Sequence, residues 1–302
     1  MPAESLLVIA SIPSPHTGTI DLGPLVLHMY GLMLLLAIAG CVALTGVRWV
    51  NRGGDWDLVF RVAVWGVAAG IVGARLYHDI TSWDEVPDPK WKGAFEVWKG
   101  GLGVWGGIFL GCVVGAIVVK RSGESVTKMM DAAAPGLLLA QGVGRIGNWF
   151  NQELYGKPTD LPWGLKIDID HRVPGYEQYS TFHPTFLYEL IYDLSMVGVL
   201  LLIDWRWRIR APGLFALYVS LYTFGRFFEE LLRIDPAHHI AGLRLNAWVS
   251  LILFVLSTAF FIWWQFFGGK FKSWRRKSSG PEEEGDRGPK MAIPRGRVRP
   301  GN

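Results

Sequence analysis

Long apolar runs constrain this chain more than any other feature. Polar connectors between Leu25 and Phe267 separate stretches of mostly apolar residues, each close to the ~20 residues a helix needs to cross a hydrocarbon layer roughly 30 Å thick. Lipid offers no partner to a bare backbone amide, so each run has to close its hydrogen bonds internally as a helix. The runs lie near Leu25 to Val47, Leu58 to Ile80, Gly103 to Val119, Met130 to Phe150, Thr185 to Asp204, Gly213 to Leu232 and Asn246 to Phe267. The expected fold is an all-α integral membrane protein, with about seven transmembrane helices forming one domain over 25–267 and two long outward-facing loops, Thr81 to Leu102 and Asn151 to Pro184. The second loop, with W-G-L-K-I-D-I-D-H, is compatible with short strands or an interfacial segment.

Composition agrees, since 50% of the residues are hydrophobic and 15 are tryptophan, too apolar a mixture for an ordinary soluble domain. The net charge of +4 does not imply a nucleic-acid partner, because the basic residues collect at the ends of the runs and in the tail. Cys41 and Cys112 both sit inside apolar runs, so neither a disulfide nor a metal site is supported. Arg48, Arg52, Arg61, Lys120, Arg121, Lys128, Arg206, Arg208, Arg210 and the basic tail fall on one side, well outnumbering the basic residues of the other. By the positive-inside rule the N-terminus is then outside and the C-terminus cytoplasmic. Residues 1–24 lack a basic start and contain Pro13, Pro15 and Pro24, and they read as an extracytoplasmic segment, not a cleavable signal. Residues 268–302, beginning K-F-K-S-W-R-R-K, read as a basic disordered tail near anionic headgroups.

Gly103, Gly107, Gly111 and Gly115 recur every four residues and would form a groove for close helix approach, which is a packing role. Ionisable groups inside a span need a different explanation, because each costs ~3 kcal/mol on insertion scales. In G-V-G-R-I-G-N-W-F-N-Q-E-L-Y-G, Arg145, Asn148 and Asn151 fall at successive i, i+3 positions with Gln152 close by, a strip of donors suited to phosphate or carboxylate. Arg226, in Y-T-F-G-R-F-F-E-E-L-L-R, lies at matching depth in its own run. Either arginine alone could snorkel to the interface, and Arg226 has Glu230 at i+4 as an ion-pair partner. Two at one depth favour a shared anion, for which a phospholipid is the obvious source, since a planar guanidinium grips phosphate oxygens through paired donors. Arg75 ends the second run on the same side and could join them, with structural pairing to Asp79 at i+4 the favoured role. His28 and Tyr30 open the first run, His183, Tyr188 and Glu189 the fifth, and Glu153 closes the fourth.

These segments carry a resemblance. H-M-Y-G-L, G-G-L-G-V-W-G-G, G-R-I-G-N-W-F-N-Q-E-L-Y-G, H-P-T-F-L-Y-E and F-G-R-F-F-E-E-L-L-R occur in the order found in prolipoprotein diacylglyceryl transferases, and the chain resembles that family from about Leu22 to Phe267. The resemblance implies an enzyme of the bacterial cytoplasmic membrane that moves the diacylglyceryl group of phosphatidylglycerol onto the lipobox cysteine of a prolipoprotein, forming a thioether and releasing glycerol 1-phosphate. It implies no cofactor and no metal. It also implies that Arg145 and Arg226 bind the lipid, and that Tyr30, Asn148, Asn151, Glu153 and Gly156 are further important positions. The chain departs from the family at Trp105, where many members have a histidine proposed to activate the thiol, and an indole cannot accept that proton. His28, His183 and Tyr30 are the alternative proton acceptors. A lipid or anion transporter and a scaffolding subunit are the competing classes, and formation of a covalent product separates them from an enzyme.

Overall fold

Each of the seven apolar runs folds as a long helix. A computed structural model describes residues 11–23, 25–97, 100–207 and 209–267, so the expectation for the tail lies outside the described residues, as does that for the first ten residues. The long helices are α1 (Met29–Val50), α2 (Trp56–Thr81), α4 (Val104–Arg121), α5 (Val126–Phe150), α6 (Thr185–Arg206), α7 (Gly213–Leu232) and α8 (Leu245–Ile262), with α3 (Lys90–Gly93) a single turn in the connector after α2. Five of them, α1, α2, α4, α6 and α8 continued to Phe267, are long and apolar enough to cross a membrane. The other two, α5 and α7, have 25 and 20 residues and are comparable in length. They carry Asp131 and Arg145, and Arg226, Glu229 and Glu230, which interrupt their apolar character.

Burial is reversed relative to a water-soluble protein. Phe109 and Phe266 point outward, 70% and 71% exposed, whereas Asp193 and Glu230 are 0% and 1% exposed. Such an arrangement costs free energy in water but is favourable where the surroundings are hydrocarbon and the interior holds the ion pairs.

The helices pack α2 on α4, α1 on α5, α5 on α6, α6 on α7 and α7 on α8. The glycine groove has the packing role expected of it: Gly107 lies against Gly70 and Ala74, Gly111 against Gly66 and Gly70, and Gly106 against the Gly73 carbonyl so closely that a Cβ at Gly106 or Gly73 would overlap the other backbone. Helix starts follow capping chemistry. The Asp55 side chain accepts from Asp57 N–H at 3.1 Å, and Ser125 accepts from Lys128 N–H at 3.5 Å, so α5 begins ahead of the apolar run at Met130.

The first span begins later than the run of apolar residues suggests. Leu25–His28 form strand β2, paired antiparallel with β1 (Thr19–Leu22), and α1 starts at Met29. Gly23, with φ 68°, supplies the left-handed turn between the strands. The loop 151–184 contains β3 (Leu165–Lys166) and β4 (Thr181–Phe182), an antiparallel pair. A further short pair, β5 (His239–Ile240) and β6 (Leu243–Arg244), joins α7 to α8. The segment before α1 is stitched to the 151–184 loop. Ile12 N–H donates to Gly164 O and Ile12 O accepts from Lys166 N–H, both at 2.9 Å, and Trp149 Nε1 donates to Pro13 O at 3.1 Å. Tyr155, Leu165, Ile167 and Phe182 form a small apolar core beneath this cap.

Candidate functional site

The C-terminal turns of α5 and α7 and the first turns of α6 meet beneath the cap, and the two arginines meet there too. Glu189, in the second turn of α6, stands between them: Arg145 Nη2 lies 2.7 Å from Oε1, and Arg226 Nη1 lies 3.2 Å from Oε2. One carboxylate from a third helix therefore bridges guanidinium groups from two others. Arg226 also reaches Glu229 Oε2 at 2.6 Å and contacts Glu230 Oε1, the i+4 partner visible in the sequence. Glu230 is itself held from behind, by Arg233 Nη1 at 3.3 Å and Arg244 Nε at 2.7 Å, and Asp235 braces both of those arginines. The network fixes the position of Arg226 from its buried side.

The donor strip on α5 holds in part. Arg145 Nη1 donates to Asn148 Oδ1 at 3.3 Å, and Asn148 Nδ2 and Asn151 Nδ2 donate to Glu153 Oε1 at 2.7 and 3.3 Å. Gln152 leaves the strip. Its backbone is left-handed, φ 52°, and its side chain turns into the cap, donating to Pro15 O at 2.9 Å and Asp168 Oδ2 at 2.7 Å. Asp168 also meets His16 at 2.9 Å, and these hydrogen bonds from Gln152 and His16 hold its carboxyl below the usual range. Tyr30 of α1 comes up against α5 because Gly147 has no side chain, and a Cβ there would strike the tyrosine ring. Gly156 is buried, donates its N–H to His183 O at 2.9 Å and pairs with Arg233, and a Cβ there would strike the His183 side chain.

The proton acceptors differ in setting. His183 stands at the head of α6 with Nδ1 3.1 Å from Tyr188 Oη, which also accepts from Trp163 Nε1 at 3.0 Å. Burial, then the nearby Lys157 charge, lowers the His183 pKa. His28 is exposed at the junction of β2 and α1. Trp105 lies in the first turn of α4 with its ring exposed. Arg75 pairs with Asp79 at 3.1 Å as expected, and it also donates to the carbonyls of Gly93 at 2.5 Å, Ala94 at 3.0 Å, Gly100 at 2.7 Å and Gly101 at 3.2 Å. Its fork is wholly engaged in shaping the connector after α2.

A cleft of about 230 Å³ opens between α6 and α7, with Glu189, Asp193, Arg226 and Glu229 among its polar walls and Phe224, Phe228 and Leu232 among its apolar ones. Sequence reasoning did not single out Asp193, although an acid at i+4 from Glu189 in an apolar run was the available signal. Arg233 and Arg244 read only as loop charges, because their contacts arise from the turn between α7 and α8. Among the described residues, no group of three or more His, Cys, Asp or Glu side chains could hold a metal ion.

Apolar helices enclosing an arginine–carboxylate cluster, under a cap at one end, define an integral membrane protein with an ionised site between its helices. The family is prolipoprotein diacylglyceryl transferase, whose sequence model matches residues 17–263, and the chain belongs to it. It is 47% identical over 246 residues to the phosphatidylglycerol–prolipoprotein diacylglyceryl transferase of Cutibacterium acnes, covering 81% of this chain and 83% of that protein. The transferase of that name in Streptomyces griseus is 44% identical over 260 residues, covering 84% and 78%, and the one in Bifidobacterium adolescentis 41% over 270 residues, covering 85% and 80%.

Proposed function

We propose that this chain transfers the diacylglyceryl group of phosphatidylglycerol to the lipobox cysteine thiol of prolipoproteins, the first step of lipoprotein maturation, in the cytoplasmic membrane of a bacterium. The observation that carries the reading is the convergence of Arg145 and Arg226 on the single Glu189 carboxylate. Two guanidinium groups that can share one carboxylate have the spacing to share one phosphodiester, and in a low-dielectric setting such paired charge-assisted bonds are strong.

In the proposed mechanism the lipid phosphate takes up the donors that Arg145 and Arg226 give to Glu189. The thiolate of the prolipoprotein attacks the glycerol methylene, the carbon–oxygen bond to phosphate breaks, and its electron pair stays on the departing phosphate oxygen. The two arginines stabilise the charge collecting there. Glycerol 1-phosphate leaves, and the thioether remains on the signal peptide. Tyr30 of α1, Asn148 of α5, and Asn151 and Glu153 just past its end line the approach and orient the headgroup, while Gly156 keeps His183 close to α7. A thiol of ordinary pKa ~8.5 needs help to ionise. His183 supplies it: the tautomer with its proton on Nδ1, donated to Tyr188 Oη, leaves Nε2 free to accept the thiol proton. His28, more exposed, and Tyr30 are the weaker acceptors.

The same reading takes α5 and α7 as spans along with the five apolar helices, seven in all, over a spanning domain of 25–267. The capped end faces outward with the N-terminal segment, and residues 268–302 lie in the cytoplasm. Both substrates, the anionic lipid and the signal peptide, then reach the site from the membrane. The test is transfer by purified full-length protein in phosphatidylglycerol vesicles with a lipobox-cysteine peptide. The wild type is expected to give a thioether-linked diacylglyceryl peptide and Arg145→Ala to give none. Lipid movement without a covalent product would mean a transporter, and near-normal turnover in Arg145→Ala would remove the arginine from the reaction.

A further inference from the structure

Asp193 is the one acid of the cluster that the ion-pair network leaves out. It is 0% exposed, and neither carboxylate oxygen has a hydrogen-bond partner among the described residues. It lies one helical turn beyond Glu189 on α6, and it lines the cleft between α6 and α7 together with Arg226. Gly142 of α5 packs against its Cβ and brings no side chain to the carboxylate. Tyr192, its neighbour in the chain, gives its hydroxyl to Leu221 O at 2.7 Å and so does not serve Asp193. A buried polar group without a partner is costly and calls for a specific cause. All the other acids of the cluster, Glu189, Glu229, Glu230 and Asp235, have an arginine.

The geometry points to Asp193 as the acceptor for a headgroup hydroxyl of the bound lipid, and so as a residue that selects polyol headgroups. The inference rests on the transferase reading for its choice of lipid and adds to it a residue that discriminates between headgroups. Three features of the cleft favour a hydroxyl-bearing amphiphile. The apolar Phe224, Phe228 and Leu232 suit the acyl side of a lipid, and Arg226 suits its phosphate. Asp193 adds two acceptor oxygens that no side chain among the described residues engages. An ammonium headgroup would also be drawn to the carboxylate but would have to settle beside the Arg226 cation, whereas a neutral hydroxyl meets no such repulsion. A site that hydrogen-bonds a substrate hydroxyl discriminates strongly against the analogue lacking it, because the buried acceptor is then left unmet.

The experiment compares binding of phosphatidylglycerol with binding of phosphatidylpropanol, which keeps the phosphodiester and the chain length of the headgroup but lacks both hydroxyls. The full-length protein is held in phosphatidylcholine nanodiscs, and affinity is read by equilibrium titration, so the result does not depend on turnover. The wild type should prefer phosphatidylglycerol by roughly tenfold or more. Asp193→Leu should bind the two lipids alike, at the wild-type affinity for phosphatidylpropanol, and should melt no lower than wild type because an unpaired buried carboxylate has been removed. Asp193→Asn keeps a neutral acceptor and should retain part of the preference, which provides a second reading if the leucine variant does not fold. A purely structural role would lower affinity for both lipids together. An undiminished preference in either variant, or no preference in the wild type, would overturn the proposal. Discrimination by a wild type that forms no thioether would instead defeat the transferase reading and leave the role of Asp193 intact.

Discussion

Arg75 and the pair Arg145 and Arg226 are intrahelical arginines near the same capped end, yet they bind different kinds of partner. Arg75 gives its donors to four backbone carbonyls and to Asp79 one turn away. Arg145 and Arg226 rest on side chains, Asn148, Glu189, Glu229 and Glu230. Backbone carbonyls belong to the fold and cannot withdraw, so an arginine bound to them is a structural brace. Carboxylates on rotatable side chains can be displaced by another anion, so an arginine bound to them can exchange partners. The nature of the partners, and not depth in the helix, separates a brace from a binding site here.

The largest expected effect breaks the comparison at its functional side. Arg226→Ala should lower transfer per folded molecule by at least ~10²-fold in the vesicle assay, the scale for removing one preorganised donor to developing charge. Arg75→Ala should do the reverse, lowering the melting temperature by leaving buried carbonyls unmet, while transfer per folded molecule falls far less than in Arg226→Ala. Equal losses of transfer in both variants at equal stability would erase the distinction.

A smaller effect belongs to the α2–α4 contact, where Gly106→Val forces apart two backbones that now touch. Overpacking of that kind costs about 1–3 kcal/mol, to be read as lowered thermal stability in detergent with the headgroup preference unchanged. The smallest effect concerns His183. Because its folded pKa is lowered from the usual imidazole value, the unfolded chain takes up the proton first as pH falls. Its contribution to stability is therefore complete above about pH 6.5 and lost below it. Transfer should fall in the same window, as the neutral acceptor is consumed, and His183→Gln should remove the histidine-dependent limb of the profile. A wild-type profile unchanged in His183→Gln would assign the proton to another acceptor.

Much of the helical frame was legible because apolar runs of spanning length have few ways to fold. Gly213–Leu232 coincides with its helix, and Arg145 and Asn148 do share a face. What escaped depended on long-range partners. Leu25–His28 are apolar enough to extend a helix but pair with Thr19–Leu22 across the Gly23 turn. Gln152 looked like part of the donor strip until its left-handed backbone turned it toward Pro15 and Asp168. Asp193, one turn beyond Glu189 on α6, has no arginine where Glu189 has two, and no spacing rule shows which acid on a helix a guanidinium from another helix will choose.

The most direct measurement is a double-mutant cycle on phosphatidylglycerol affinity with Arg145→Gln, Arg226→Gln and both together in nanodiscs. If the two guanidinium groups hold one phosphodiester, either single change should remove most of the specific affinity and the double variant should bind little worse than either single one. Strictly additive losses, each arginine contributing independently of the other, would contradict a shared phosphate.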